Sequence, residues 1–385
     1  MARLLFSGSD AANRTYIQSV NCTIGRTSTT EQPSPATFSC EIGQDIETNT
    51  YFDGIQMGEI VEWYLDDPAS GSDVRVFYGE VTDISIRLDQ WSQGNGIRTY
   101  TITAIGMSGA LNRQLTDSNS YPKQYSGTRI STILSNADWQ GYSYDVTYIN
   151  TTNVYEISAT SDGYVSSLEF AQAAANSAMG CLYEDHKNGW MVYDSYTGRK
   201  SNPTITLTIG DILASSFTIA QSSTDVANRT SVTYGASGAS SSFWDNSTSQ
   251  GIYGIKEGVK ETTLHNLSDA NSIAQILLAS HNTPEFNLTS ITIDTAAISD
   301  SLRQSLLNAH VGTQIYVTDL PTSEIVTFSG FIEGYSWSSS REHDQITMTL
   351  SNYGNLYPYT LWNQLNGTDT WNTYATSTTK WSDII

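Results

Sequence analysis

The chain has 385 residues, and 39 Asp and Glu against 18 Lys and Arg leave a net charge of −21. A surface this acidic repels phosphate, which excludes nucleic-acid binding as the main task and disfavours docking on an anionic bilayer. Charged residues are only 15% of the chain, below the roughly 25% usual in globular proteins. Ser and Thr, about a quarter of all residues, take their place together with 23 Tyr and 9 Trp. Thr and the aromatics favour pleated, half-buried surfaces, while Lys, the usual guard of exposed strand edges, is scarce. Such edges must be closed into barrels or covered by partners, which points to a component of an assembly.

No run approaches the roughly 18 continuous apolar residues of a membrane span, and the apolar run near Arg3 is too short for a signal peptide. Cys22, Cys40 and Cys181 stand at unrelated spacings with no C-x-x-C pair, so they read as reduced, buried hydrophobes and not as a zinc site or a disulfide framework.

Residues 1–110 read as a first β-barrel. Segments 36–42, 60–65, 74–86 and 98–105 alternate with period two, and turn clusters at 66–73 and 92–96 separate them without an intervening helix. Residues 111–203 read as a small α+β domain. In it Ile130, Ile133, Leu134 and Ala137 share one helical face, and a second helix starts after the N-cap candidate Ser166. Glu169 sits three residues on, as in a capping box, and Gly180 marks the stop. A hairpin follows around Asn188-Gly189, the strongest turn signal in the chain.

The strand pattern returns at 204–265 and 285–357, read as a second β-barrel, with a helical connection at 266–284 and a C-terminal tail at 358–385. The fold class is therefore mainly β with an α+β insertion. An internal repeat supports two similar barrels: residues 76–86 match 327–337, each with a glycine (Gly79, Gly330) at the same place. Upstream, 58–63 aligns with 312–317; downstream, 100–106 aligns with 346–351.

The search for chemistry is mostly negative. There is no Walker loop, G-x-S-x-G elbow, G-x-G-x-x-G after a strand, or H-E-x-x-H. His186, His265, His281, His310 and His343 are scattered without ligand spacing, which suits surface or helix-capping roles. Asp66, Asp67 and Asp73 could offer calcium their carboxylates but lack the order of an EF-hand loop. Glu184 and Asp185 before the hairpin turn read as solvated. These patterns predict no enzyme and no cofactor. In the tail, Trp362, Trp371 and Trp381 each precede Leu, Tyr or Ile by three residues or so; a segment this short cannot bury three indoles alone, so they are candidate docking residues for the chain's own barrel or a partner.

The run Val76-Phe-Tyr-Gly-Glu-Val-Thr-Asp-Ile through Tyr100-Thr-Ile-Thr-Ala-Ile-Gly, then Gly127-Thr-Arg-Ile-Ser-Thr-Ile-Leu, resembles the minor tail or baseplate hub proteins of tailed bacteriophages. So do Asn188-Gly-Trp-Met-Val-Tyr-Asp, Asp225-Val-Ala-Asn-Arg-Thr-Ser-Val-Thr-Tyr-Gly and the Trp-containing tail. The resemblance implies a homotrimeric hub of the virion tail tip, assembled in the bacterial host cytoplasm. Three two-barrel subunits would adapt a hexameric tail tube and its distal tail proteins to trimeric tip or spike proteins. The tape measure protein would be a further partner, genomic DNA passing cargo only, and no membrane span is involved. The alternative is a host-surface glycan-binding or glycan-cleaving tip protein, which would use paired carboxylates and stacked aromatics.

Overall fold

The computed structural model describes residues 3–10, 16–45, 55–92, 95–116, 120–137, 155–161, 163–322, 325–340 and 343–358. Its first strands are β1 (Arg3–Phe6), β2 (Ser9–Asp10), β3 (Tyr16–Gly25), β4 (Ser34–Asp45), β5 (Ile60–Asp67), β6 (Ser72–Ser92) and β7 (Asn95–Gly106). Period-two burial is clean in β5, where Val61, Trp63 and Leu65 point inward and their neighbours do not.

Helices α1 (Ser108–Arg113), α2 (Ser126–Asn136) and α3 (Ser167–Ser177) follow, with short strands β8 (Ser120–Tyr121), β9 (Gln124–Tyr125), β10 (Glu156–Ile157) and β11 (Thr160–Ser161) between them. The α2 stripe Ile130, Ile133 and Leu134 packs on Leu168, Ala171 and Ala175 of α3. Ser166 caps α3, its hydroxyl accepting from the Glu169 N–H at 3.3 Å. The stop differs from the expectation at Gly180: Met179 takes the left-handed conformation, while the Gly180 N–H reaches back to the Ala175 carbonyl. Gly180 is needed because a Cβ there would lie 2.5 Å from the Tyr193 ring. The hairpin β12 (Cys181–Asp185) and β13 (Trp190–Asp194) closes this unit.

The remainder comprises β14 (Thr204–Thr208), β15 (Thr218–Ala220), β16 (Arg229–Tyr234), β17 (Ala239–Ser240), β18 (Trp244–Asp245), α4 (Ser247–Tyr253), β19 (Glu257–Lys260) and α5 (Leu267–His281). Then come β20 (Asn287–Asp294), α6 (Asp300–Leu307), β21 (Gln314–Thr318), β22 (Phe328–Ser340), β23 (Asp344–Asn352) and α7 (Tyr353–Leu356).

Among the described residues thirteen strands join in one sheet, ordered β15-β20-β23-β22-β3-β4-β7-β6-β5-β1-β2, with β14 paired to β21 and β21 to β22. Two expectations are corrected here. Among the described residues neither strand set closes into a barrel; the sheet is open, with β15 and β2 at its ends. Strands β16–β19 do not join it, although the sequence pattern placed them in the second barrel. They form a separate four-stranded sheet, where Val232 packs with Ile273 and Ala274 of α5.

The sheet contains two strand sets with the same pairing order. One is β1-β5-β6-β7-β4-β3, the other β14-β21-β22-β23-β20-β15, and each follows the same succession along the chain. One difference is that β1 runs antiparallel to β5 while β14 runs parallel to β21. Local details agree. The Gly58 N–H donates to Val81 and the Val81 N–H to Glu59; likewise Gly312 donates to Ile332 and Ile332 to Thr313. Both long strands bulge just after these points, between Val81 and Asp83 and between Ile332 and Gly334. A single apolar core runs through both sets, from Phe38, Trp63 and Phe77 to Ile291, Val317 and Trp337.

Gly79 and Gly330 occupy equivalent crowded positions. A Cβ at Gly79 would meet the Phe77 ring at 2.7 Å and the Ile105 carbonyl; one at Gly330 would meet the Phe328 ring at 2.5 Å and the Ser351 carbonyl. Gly79→Ala and Gly330→Ala should therefore each destabilise the protein by about 1–3 kcal/mol through overpacking, read as a lower urea midpoint at unchanged slope. A midpoint unmoved by both would contradict this packing.

Candidate assembly site at the junction of the two strand sets

The two sets meet where β22 pairs antiparallel with β3, from Gly334 opposite Gly25 to Ser340 opposite Ser19. Backbones crowd at the start of this seam. Gly25 has a positive φ of 98°, and a Cβ on it would lie 2.5 Å from the Glu333 carbonyl oxygen. The bulge in β22 makes Glu333 the extra residue of its strand, and a bulge re-aims the side chain it carries.

That side chain enters a fully buried charge cluster. The Arg26 Nε donates to Glu333 Oε2 at 2.7 Å, and Arg26 Nη2 lies 2.6 Å from the same oxygen. The Arg199 Nη2 donates to Oε1 at 2.8 Å, as does the Ser351 hydroxyl at 2.6 Å. Arg26 follows β3, Arg199 lies in the 3-10 turn Gly198–Ser201, and Ser351 is next to last in β23. One carboxylate thus ties the first strand set, the second and the hairpin unit together. Burial alone would raise the Glu333 carboxyl; the Arg199 and Arg26 guanidiniums and the Ser351 hydroxyl outweigh it and bring it down to about 2.

A second buried carboxylate docks the hairpin on the first set. Glu184, expected to be solvated, is buried. Its Oε1 accepts from the Ser108 N–H at 3.1 Å, the Ala36 N–H at 3.3 Å and the Ser108 hydroxyl. Oε2 lies 3.0 Å from His186 Nε2, close but poorly aligned for a hydrogen bond. Burial pushes this carboxyl up, and His186, the Ser108 hydroxyl and the Ala36 N–H hold it below the usual range. Gly106 leaves room for it, since a Cβ there would overlap the carboxylate.

His186 is accordingly no surface residue: its ring is buried, stacked on Phe77 at 5.2 Å. His310 stacks on Tyr183, His281 ends α5, and His265 and His343 are exposed. A cavity of about 140 Å³ lies between the hairpin turn and β22, lined by Arg75, His186, His310, Tyr335 and Trp337 among others. Asp67 is also buried: it accepts from the Ala69 N–H, the Ser70 hydroxyl and Gln304 Nε2, while Asp66 pairs with Arg303 at 3.3 Å. These contacts engage Asp66 and Asp67, and no group of three or more His, Cys, Asp or Glu could hold a metal among the described residues. Cys22, Cys40 and Cys181 are buried thiols, and burial raises all three.

Trp362, Trp371 and Trp381 lie outside the described residues. The tail leaves from an aromatic cluster in which Tyr196 and Phe331 pack on Tyr353 and Tyr357. Among the described residues no helix is long and apolar enough to cross a membrane.

No family model matches the sequence, and no curated protein matches it either. Solved structures do. A 43 kDa tail protein of prophage MuSo2 from Shewanella oneidensis superposes with a TM-score of 0.63 at 12% identity, covering 92% of this chain and 99% of that one. The chain has the fold of phage tail proteins. A tail protein from Neisseria meningitidis MC58 gives 0.61 at 13% identity, covering 92% and 97%. The c3393 protein of E. coli gives 0.52 at 11% identity, covering 92% and 78%; it is described as a type VI secretion component structurally similar to T4 bacteriophage tail proteins gp27 and gp5.

Breaking a buried charge cluster strands the remaining charges. Glu333→Gln should cost about 3–5 kcal/mol in chemical unfolding, and Arg26→Met or Arg199→Met should also destabilise. The carboxyl of Glu333 is lower in the folded than in the unfolded chain, so its contribution is whole above about pH 4.5 and is lost as pH falls towards about 2. Stability measured over this range should drop more steeply in the native protein than in Glu333→Gln; equal slopes would contradict the assignment.

Proposed function

We propose that this chain is a structural protein of the tail tip of a tailed bacteriophage, the central hub of that tip, and that it works as a homotrimer without enzymatic activity. The observation that carries the reading is the repeated pairing order of the two strand sets, with matching bulges and matching glycines. We read it as a duplication within one chain. Three copies would then present six related units, which suits a ring between a hexameric tail tube with its distal tail proteins and trimeric tip or spike proteins. The likeness to tail proteins over most of the chain supports the same role.

In this reading the tape measure protein and the genomic DNA pass through the ring on ejection. The net charge of −21 keeps DNA from adhering to such a channel by like-charge repulsion. Trp362, Trp371 and Trp381 would dock the tail on the chain's own second strand set or on a neighbouring protein. The protein would assemble in the host cytoplasm and reside in the virion.

Native mass measurement of the purified protein should give a trimer that does not bind duplex DNA at low salt. A monomer, or a hexamer of whole chains, would contradict the hub; salt-dependent DNA binding would contradict the repelling channel.

A further inference from the structure

Lys260 is the last residue of β19. Its register opposite Val232 starts its side chain on the face of the small sheet that packs on α5 and Ala178. A charge among such apolar neighbours is costly unless a carboxylate meets it. The chain has 39 Asp and Glu, yet Lys260 forms no ion pair among the described residues. Its Nζ donates instead to Asn176 Oδ1 of α3 at 2.8 Å. Burial, followed by the like charge of Arg26, brings this amine down from the usual lysine range to about 8. A desolvated lysine near a second cation is a nucleophile close to neutral pH.

The group in front of it is an electrophile. Asn176 Cγ carries the oxygen that Nζ already touches, so the amine stands about 3–4 Å from that carbon, close to an attack distance. No hydrogen bond holds Asn176 Nδ2 among the described residues, which leaves it able to depart. The two segments are fixed on either side of the pair. Ser177 follows Asn176, and its Oγ accepts from the Thr263 N–H at 2.9 Å; the Ser177 and Thr263 hydroxyls lie 3.0 Å apart. Amine and amide therefore meet without an encounter step.

We infer that Lys260 and Asn176 of one chain join after folding in an isopeptide bond that ties α3 to β19. Nζ of the free amine attacks Cγ, the Nζ–Cγ bond forms and the Cγ–Nδ2 bond breaks. One Nζ proton passes to Nδ2 through water, which these half-buried side chains admit, and ammonia leaves. No oxidant, reductant or second substrate is consumed. Among the described residues no carboxylate bonds to the pair to carry the proton, so the step is slow and follows folding. Arg26 is the charged group that acts on Lys260 from another element; Glu257 of its own strand and the following Glu261 are exposed. The bond spans 84 residues and makes covalent a contact between the helical unit and the small sheet. It goes beyond the hub reading and does not depend on it, since both partners belong to one chain.

Intact-mass measurement of the folded full chain, fresh and after incubation across about pH 6–10, tests this bond. The mass should fall below the sequence mass by one ammonia. Because the free amine reacts, the rate should rise as pH passes about 8 and level off above it. Fragmentation of a digest should place residues 176 and 260 in one branched peptide. Lys260→Arg and Asn176→Ser, each checked for folding by circular dichroism, should both keep their sequence mass.

A native chain that stays folded and keeps its sequence mass throughout would overturn the inference and leave a plain hydrogen bond. An ammonia loss that persists in Lys260→Arg would also overturn it, as the mark of a succinimide at an asparagine. The native chain decides the matter even where a variant fails to fold. Either result leaves the trimeric hub to its own test.

Discussion

The structure turns on a carboxylate placed where a strand bulges. Glu333 has no paired position in β22, and its side chain is turned into an environment that can accept it: two guanidiniums and a hydroxyl drawn from three different parts of the chain. A buried Glu without these partners would be neutral and costly. With them it fixes how β3 lies against β22, and hence how the first strand set meets the second. The glycines at 25 and 334 permit the same approach sterically, since a Cβ on either would strike the opposite backbone.

From that seam the other features follow in order. Pairing of β22 with β3 makes one sheet and one apolar core out of two strand sets. The hairpin unit is held from both sides, by Arg199 on Glu333 and by Glu184 on the start of α1. Where β6 runs on past this core, Ile86 and Leu88 are exposed.

Much of this was legible in the residues themselves. The aligned segments around Gly79 and Gly330 were readable because close packing demands glycine at both, and the turn at Asn188-Gly189 because its chemistry is local. The capped start of α3 was readable for the same reason. What escaped the sequence depends on tertiary partners. Glu333 interrupts the alternation Phe331-Ile332-Glu333-Gly334, and that break, beside a glycine, is the trace a bulge leaves; nothing local says that Arg26 and Arg199 will meet it. Glu184 looked solvated because it precedes a turn, yet its alternation in β12 carries it to the N–H groups of Ala36 and Ser108. Strands β16–β19 carry the same Thr-rich pattern as the large sheet, so the pattern could not show that they would pack on α5 instead.

The proposed hub requires three copies, each with two related strand sets, to close into one ring. Averaged electron-microscopy images of the purified protein address it most directly. An annular particle with threefold symmetry and six similar lobes about a central opening is expected. Isolated two-lobed particles, or a ring of six whole chains, would contradict it.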